Sequence, residues 1–265
     1  MSNSYSISNG KLSRCDVDAA APGPGEVTVE IQASSINYRD LGIQAGFYPS
    51  RQGVVPLSDG AGTIVAVGEG VLGLVPGQLV ASCFYPFWEA GPATERNHSA
   101  SLGCEMDGLL RHRATLPETA FIETPEHLTA SQAATLPCAA VTAWAALITR
   151  GALVPGEHVL VQGTGGVAVF AVQFAKAMGA TVTVISSSDE KLERIRDLGA
   201  DNTVNYREHP QWSDRVNDLL GGESIDLAIE LGGAETLAQS LNCIRVGGRV
   251  SVIGVLSGNE AQVVI

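Results

Sequence analysis

The chain has 265 residues, 45% hydrophobic and 17% charged, the composition of a protein with a buried core and not of a disordered one. Sixteen Lys and Arg stand against 28 Asp and Glu, a formal charge of −12 with no basic cluster, which argues against nucleic acid as a partner. No run reaches the ~18 apolar residues of a membrane span, and the best stretch, 167–180, is broken by Gln173 and Lys176.

The first ten residues are polar and lack the apolar centre of a secretion signal. The five cysteines (15, 83, 104, 138, 243) are odd in number, widely spaced and free of any C-x-x-C. That pattern reads as reduced thiols and a cytoplasmic location. Residues 25–122 have the grammar of short strands and turns. Val27, Val29, Ile31 and Ala33 alternate with polar neighbours, Asp59–Gly68 forms a strand between glycines, and Gln78–Cys83 forms a third. Pro22-Gly-Pro-Gly25 and Pro76-Gly77 punctuate this half, and a β-barrel-like domain over residues 1–123 is predicted.

Residues 124–265 read differently. Ser131–Ile148 has helical spacing, with Pro137 expected to split it in two. Strands are predicted at 158–163, 181–186, 202–206, 225–231 and 248–255. Helices fill the gaps at about 165–179, 189–198, 210–220 and 235–244. Alternating apolar strands and helices imply a doubly wound parallel sheet, an α/β domain of the Rossmann kind.

The first strand of that sheet runs into Gly163-Thr164-Gly165-Gly166-Val167-Ala168, which opens a helix. The glycines permit a tight turn and close approach to bare backbone, and the helix start favours a dinucleotide's diphosphate. A P-loop is excluded, since no Lys-Ser/Thr pair follows the glycines. The next strand ends at Ser186, ~20 residues past the first glycine, where NAD-preferring sites place a carboxylate. Ser187, Ser188 and Lys191 could instead hold a 2′-phosphate, giving NADP(H) preference over NAD(H). The plain alternative is a solvated helix start with Ser188 as N-cap and Asp189 and Glu190 in the first turn.

Several motifs together resemble the medium-chain dehydrogenase/reductase superfamily, and within it the zinc-independent quinone-oxidoreductase-like branch. They are 36–40 (INYRD), 56–62 (PLSDGAG), 134–144 (TLPCAAVTAW after Ala134), the glycine corner, 205–208 (NYRE) and 245–254 (RVGGRVSVIG). The resemblance implies a GroES-like β domain that takes the substrate, joined to a Rossmann domain that takes the dinucleotide. It places Thr142, Leu231, Gly254 and Val255 near the nicotinamide and Tyr206 beside the adenosine phosphate.

The catalytic ligand positions of the family's zinc-dependent branch are occupied here by Asn37, Ser58 and Cys138, and its four closely spaced structural cysteines are missing. One thiolate does not make the three-ligand set that catalytic Zn²⁺ wants, so no metal is expected. Without a Lewis acid, an enone or quinone is an easier hydride acceptor than a simple ketone, because charge spreads into an enolate. Asn37 and Tyr38, in the segment that the resemblance places at the site, are the candidates to hold that oxygen; the resemblance also brings Asp59 and Arg39-Asp40 nearby, as site residues or simply as a structural pair. His112, within Leu110-Arg-His-Arg113, lies where relatives carry less basic residues.

Relatives continue past the point where this chain stops at Ile265. On that reading strand 248–255 is an open edge, and pairing through it would give a homodimer. The alternative to an NADPH-dependent reductase is a redox-inactive family member that binds a nucleotide or substrate, or a cofactor-independent biosynthetic enzyme.

Overall fold

The computed structural model describes residues 4–16, 20–260 and 262. The chain divides into two compact units, Met1–Cys138 and Ala139–Ile265. No helix among the described residues is long and apolar enough to cross a membrane.

The first unit opens with a hairpin of β1 (Ser4–Ser8) and β2 (Lys11–Cys15). It turns at Asn9 and Gly10, both at positive φ (50° and 72°), as a two-residue turn between twisted strands requires. There follow β3 (Glu26–Ser35), α1 (Tyr38–Gln44), β4 (Asp59–Val67), β5 (Leu79–Ser82), β6 (Arg113–Pro117), β7 (Phe121–Glu123) and α2 (Ala130–Ala133). The strands form one antiparallel sheet in the order β6-β3-β4-β5-β7. Its two edge strands, β6 and β7, are joined by a single 3-10 turn, Glu118–Ala120. Five strands laid flat would separate those edges by ~19 Å, beyond what three residues comfortably span, so the sheet must curl toward a barrel. Its interior is filled by Val27, Val29, Ile64, Val80, Leu109 and Phe121. One departure from the sequence reading is α1, a helix inside the half read as strands and turns. The local signal was Asn37 followed three residues later by Asp40, whose carboxylate accepts the Asn37 amide at 2.7 Å and closes the first turn.

After α2 stops at Ala133, the helical stretch restarts at Leu136, near the end of the first unit. Pro137 takes the second position of the restarted helix, where a missing N–H costs nothing. The helix runs through α3 (Val141–Trp144), flanked by two widened π turns, Leu136–Ala140 and Ala145–Thr149. Then come β8 (His158–Gln162), α4 (Gly166–Ala177), β9 (Thr181–Ser186), α5 (Asp189–Asp197), β10 (Asn202–Asn205), α6 (Trp212–Leu220), β11 (Ile225–Glu230), α7 (Leu237–Cys243) and β12 (Ile244–Val252). The five strands are parallel, in the order β10-β9-β8-β11-β12. Val159, Val161, Leu227 and Ile229 face the small residues Ala168, Ala171 and Ala175 of α4. Leu160 and Ala228, one residue out of phase, face Trp212, Val216 and Leu220 of α6. That alternation buries the sheet on both sides.

The last strand is corrected. It begins at Ile244, four residues before the predicted start, and ends at Val252, three before the predicted end. Its register slips between the pairs Ile225–Ile244 and Leu227–Arg249, so Val246 and Gly247 bulge outward. Val246 is 99% exposed and Gly247 sits at φ 75°, which is why the sequence there reads as a turn.

The β3–β4 pair depends on Gly62, where a Cβ would lie 2.0 Å from the Glu30 carbonyl oxygen. Gly62→Ala is therefore expected to cost about 1–3 kcal/mol through forced separation of the two strands. Urea unfolding measures it, and an unchanged midpoint would contradict the contact.

Candidate active site and dinucleotide cradle

In the second unit β8 ends on the buried Gln162, and the chain turns at Gly163, held at φ 77° with its amide donating to the Ile185 carbonyl at 2.7 Å. Only glycine takes that conformation without strain. Gly165 caps α4 at φ −84°, where any residue would fit the backbone, so its bareness serves clearance and not conformation. A Cβ at Gly163 or Gly165 would meet nothing within 4 Å. The corner is open space lined by Thr164, Gly165, Gly166 and Val167. The first turn of a helix leaves its N–H groups without intrahelical partners and carries partial positive charge. Fully buried Ala168 brings the helix against the sheet and aims that turn outward.

The adjoining strand end is built from hydroxyls. Ser186 is buried, with its Oγ 3.3 Å from Thr164 Oγ1, and its carbonyl accepts the Tyr206 amide at 3.0 Å. Ser188 caps α5, accepting from the Lys191 amide at 3.4 Å, while its hydroxyl proton stays free to donate. Ser187 is half-buried, Tyr206 is 40% exposed, and the ammonium of exposed Lys191 has no partner among the described residues. Asp189, one of the two acids that weaken an anion site here, is engaged by Asn205 Nδ2 at 2.9 Å. Glu190 is paired with Arg194. On the other flank, Leu231 follows β11, and Gly254 closes on it so tightly that a Cβ would lie 2.2 Å from the Leu231 oxygen. Val255 is half exposed, and Thr142 is half-buried on α3.

In the first unit a polar cluster forms where β3, α1 and β4 meet. Asp59 is fully buried and opens β4. Its Oδ1 accepts the Ser58 hydroxyl at 2.6 Å and its Oδ2 accepts the Cys138 amide at 2.9 Å. Burial pushes its carboxyl above the ordinary range, opposed by the Ser58 hydroxyl, the Cys138 amide, the Asn37 side chain and the Arg39 charge. Burial also raises Asp40, opposed by the Asn37 amide and the Arg39 charge. Arg39 donates to the Leu102 carbonyl at 3.1 Å and to Ser101 Oγ at 2.9 Å, with its guanidinium 4.4 Å from the centre of the Phe84 ring. Asn37 Nδ2 is buried beside the Asp59 carboxyl, and Tyr38 is 68% exposed. Leu57, just before the cluster, has φ 71°, a left-handed conformation that costs a branched side chain ~1–2 kcal/mol. The Leu109 amide, 2.8 Å from the Leu57 carbonyl, holds it there. Strain of this kind collects beside functional groups.

The sequence is similar to two family models, an alcohol dehydrogenase GroES-like domain over residues 23–126 and a zinc-binding dehydrogenase over residues 166–265. A zinc-type alcohol dehydrogenase-like protein of Schizosaccharomyces pombe is 46% identical over 235 residues, covering 87% of this chain and 68% of that one. The chain belongs to the medium-chain dehydrogenase/reductase superfamily. An acryloyl-coenzyme A reductase of Metallosphaera sedula is 31% identical over 247 residues, covering 90% of this chain and 72% of the relative. The crystal structure of a candidate alcohol dehydrogenase from Sinorhizobium meliloti superposes with a TM-score of 0.91 at 40% identity, covering 99% of this chain and 79% of the other. This member of the superfamily is an NAD(P)H-dependent oxidoreductase, and its open glycine corner fits the dinucleotide.

Zinc fits less well. Ser58 spends its proton on Asp59, Asn37 offers an amide, and Cys138 brings a single sulfur. No group of three or more His, Cys, Asp or Glu side chains placed to hold a metal ion occurs among the described residues. Asn37 and Asp59 fall into one cluster, with Asp40 and Ser58 as its connecting members. Sequence reasoning also missed the wall of Phe84, Tyr85, Trp88 and His98, whose rings lie 4.2–6.1 Å apart. The signal for it was the aromatic run 84–88.

The raised Asp59 carboxyl has a consequence for stability. An acid whose folded pKa lies above its unfolded value adds stability that is full below the unfolded value and is lost as pH rises through the folded one. Starting from the ordinary value of 3.8, the wild type should therefore lose stability relative to Asp59→Asn as pH climbs toward neutrality. Melting temperatures of both proteins across that range test it, and parallel curves would contradict it.

Proposed function

We propose that this enzyme is a zinc-independent, NADPH-dependent reductase of an activated double bond or a quinone. The observation that carries the cofactor preference is the end of β9. Ser186 stands where a carboxylate would repel a 2′-phosphate, and Ser187, the Ser188 hydroxyl, Lys191 and Tyr206 surround the same spot. Main-chain amides at Thr164–Val167 hold the diphosphate. Thr142, Leu231, Gly254 and Val255 receive the other half of the dinucleotide.

When bound, the reduced nicotinamide supplies the hydride. The protein's own share is to bind and polarise the acceptor. The Asn37 side-chain amide and the exposed Tyr38 are the donors offered to an oxygen that gains charge as the double bond is reduced. Two such hydrogen bonds suit a delocalised enolate better than the localised alkoxide of a simple ketone, and this favours the conjugated substrate. Asp59 acts at one remove, fixing the Ser58 hydroxyl and the Cys138 backbone amide around which the cluster is built. The proton that completes the reduction comes from Tyr38 or from water. The reductase of acryloyl-coenzyme A among the relatives supports an α,β-unsaturated acceptor.

The test is the loss of reduced-nicotinamide absorbance with a panel of enones and quinones, using NADPH and NADH separately. Turnover is expected with NADPH first. Lys191→Ala should raise KM for NADPH about tenfold, the worth of one charge-assisted hydrogen bond, and leave that for NADH unchanged. Binding of NADPH without turnover on any acceptor would replace the reductase by a nucleotide-binding role. Equal use of both cofactors would remove the NADP assignment.

A further inference from the structure

Glu230, the last residue of β11, is completely buried at the carboxyl end of a hydrophobic strand. A buried carboxylate needs partners on both oxygens. One oxygen accepts the Gly232 and Gly233 amides at 3.0 Å each and the Thr236 hydroxyl at 2.5 Å. The other accepts Gln162 Nε2 and the Ser240 hydroxyl, each at 2.5 Å. No Lys or Arg pairs with it among the described residues, so five dipoles do the work a cation would do. Gln162 is the last residue of the neighbouring strand β8. Its Nε2 also reaches Ser240 Oγ at 2.6 Å, while its Oε1 accepts the Leu231 amide at 3.1 Å and the Gly232 amide at 2.9 Å.

The first three amides after β11 are thus all satisfied from beneath, by two side chains at the ends of adjacent strands. The same turn fixes a second segment. The Ile253 and Gly254 amides donate to the Glu230 carbonyl at 2.9 and 3.2 Å. The Ser257 amide and hydroxyl both donate to the Gly232 carbonyl, at 2.8 and 2.9 Å. Gly233, at φ 94°, leaves room for that segment, and a Cβ there would lie 2.5 Å from the Gly258 oxygen. The position in the sheet gives the network its meaning. Strand order changes direction between β8 and β11, and ligands of such sheets lie outside the strand ends at that reversal. Adenosine ribose belongs to the β9 side, so the other nucleotide half lies over β11.

We propose that Glu230 and Gln162 are positioning residues for the nicotinamide half of the dinucleotide. They set the Leu231–Gly233 turn and, through it, Gly254 and Val255, without touching the cofactor. This rests on the dinucleotide reading above. A wide crevice floor could have been made from apolar side chains. A carboxylate with five donors instead admits one arrangement of the turn, because each amide has a fixed acceptor.

The experiment titrates NADPH and 2′,5′-ADP, which lacks the nicotinamide half, against wild type, Glu230→Gln and Thr236→Val, following tryptophan fluorescence. Glu230→Gln keeps the shape but turns an NH2 group toward donors, and Thr236→Val removes one donor only. NADPH binding should weaken about tenfold in Glu230→Gln and by a smaller factor in Thr236→Val, with 2′,5′-ADP affinity held within about twofold in both. Should Glu230→Gln fail to fold, the same selective loss in Thr236→Val decides the matter. Unchanged NADPH affinity, or equal loss for both ligands, overturns the positioning role while leaving the dinucleotide reading intact. A wild-type protein that takes neither ligand overturns both.

Discussion

The second unit is organised by how β8 becomes α4. A strand buried on both faces must hand over to a helix packed on the same sheet, and the chain has one short corner in which to reverse. Gly163 supplies the left-handed turn, and the row Ala168, Ala171, Val172 and Ala175 draws the helix close. The geometry that satisfies packing leaves a fan of main-chain amides aimed at solvent with no side chain in front of them. The anion site proposed at this corner would thus follow from close helix–sheet contact.

The first unit solves the opposite problem. There the polar groups are hidden, with two acids, Asp40 and Asp59, buried within one cluster beside a single Arg39. Burial works against ionisation of both, and hydrogen bonds from Ser58, Cys138 and Asn37 work for it. Asn37 turns its side-chain amide toward the Asp59 carboxyl, and a donor of that kind is worth most against an oxygen that carries charge.

Much of this was legible in the residues. The strand–helix alternation of the second half, the glycine corner and the hydroxyl-rich end of β9 each follow from local pattern, because period and glycine placement are imposed by neighbours in sequence. The Asn9-Gly10 hairpin and the Asn37-to-Asp40 helix start carry equally local signals. Other features were beyond reach. The early start of β12 needs the bulge at Val246, which only pairing with β11 reveals. The union of Gln162, Glu230, Thr236 and Ser240 spans 78 positions between its ends, and nothing in a lone glutamate after an apolar run says whether it faces water or five donors.

The claim on which the account rests is that the backbone of Thr164–Val167 grips the diphosphate. An amide-resolved NMR titration of the nitrogen-labelled protein with NADPH tests it most directly. The largest shifts are expected at the amides of Thr164, Gly165, Gly166 and Val167. Saturable binding that leaves those four resonances in place would contradict it.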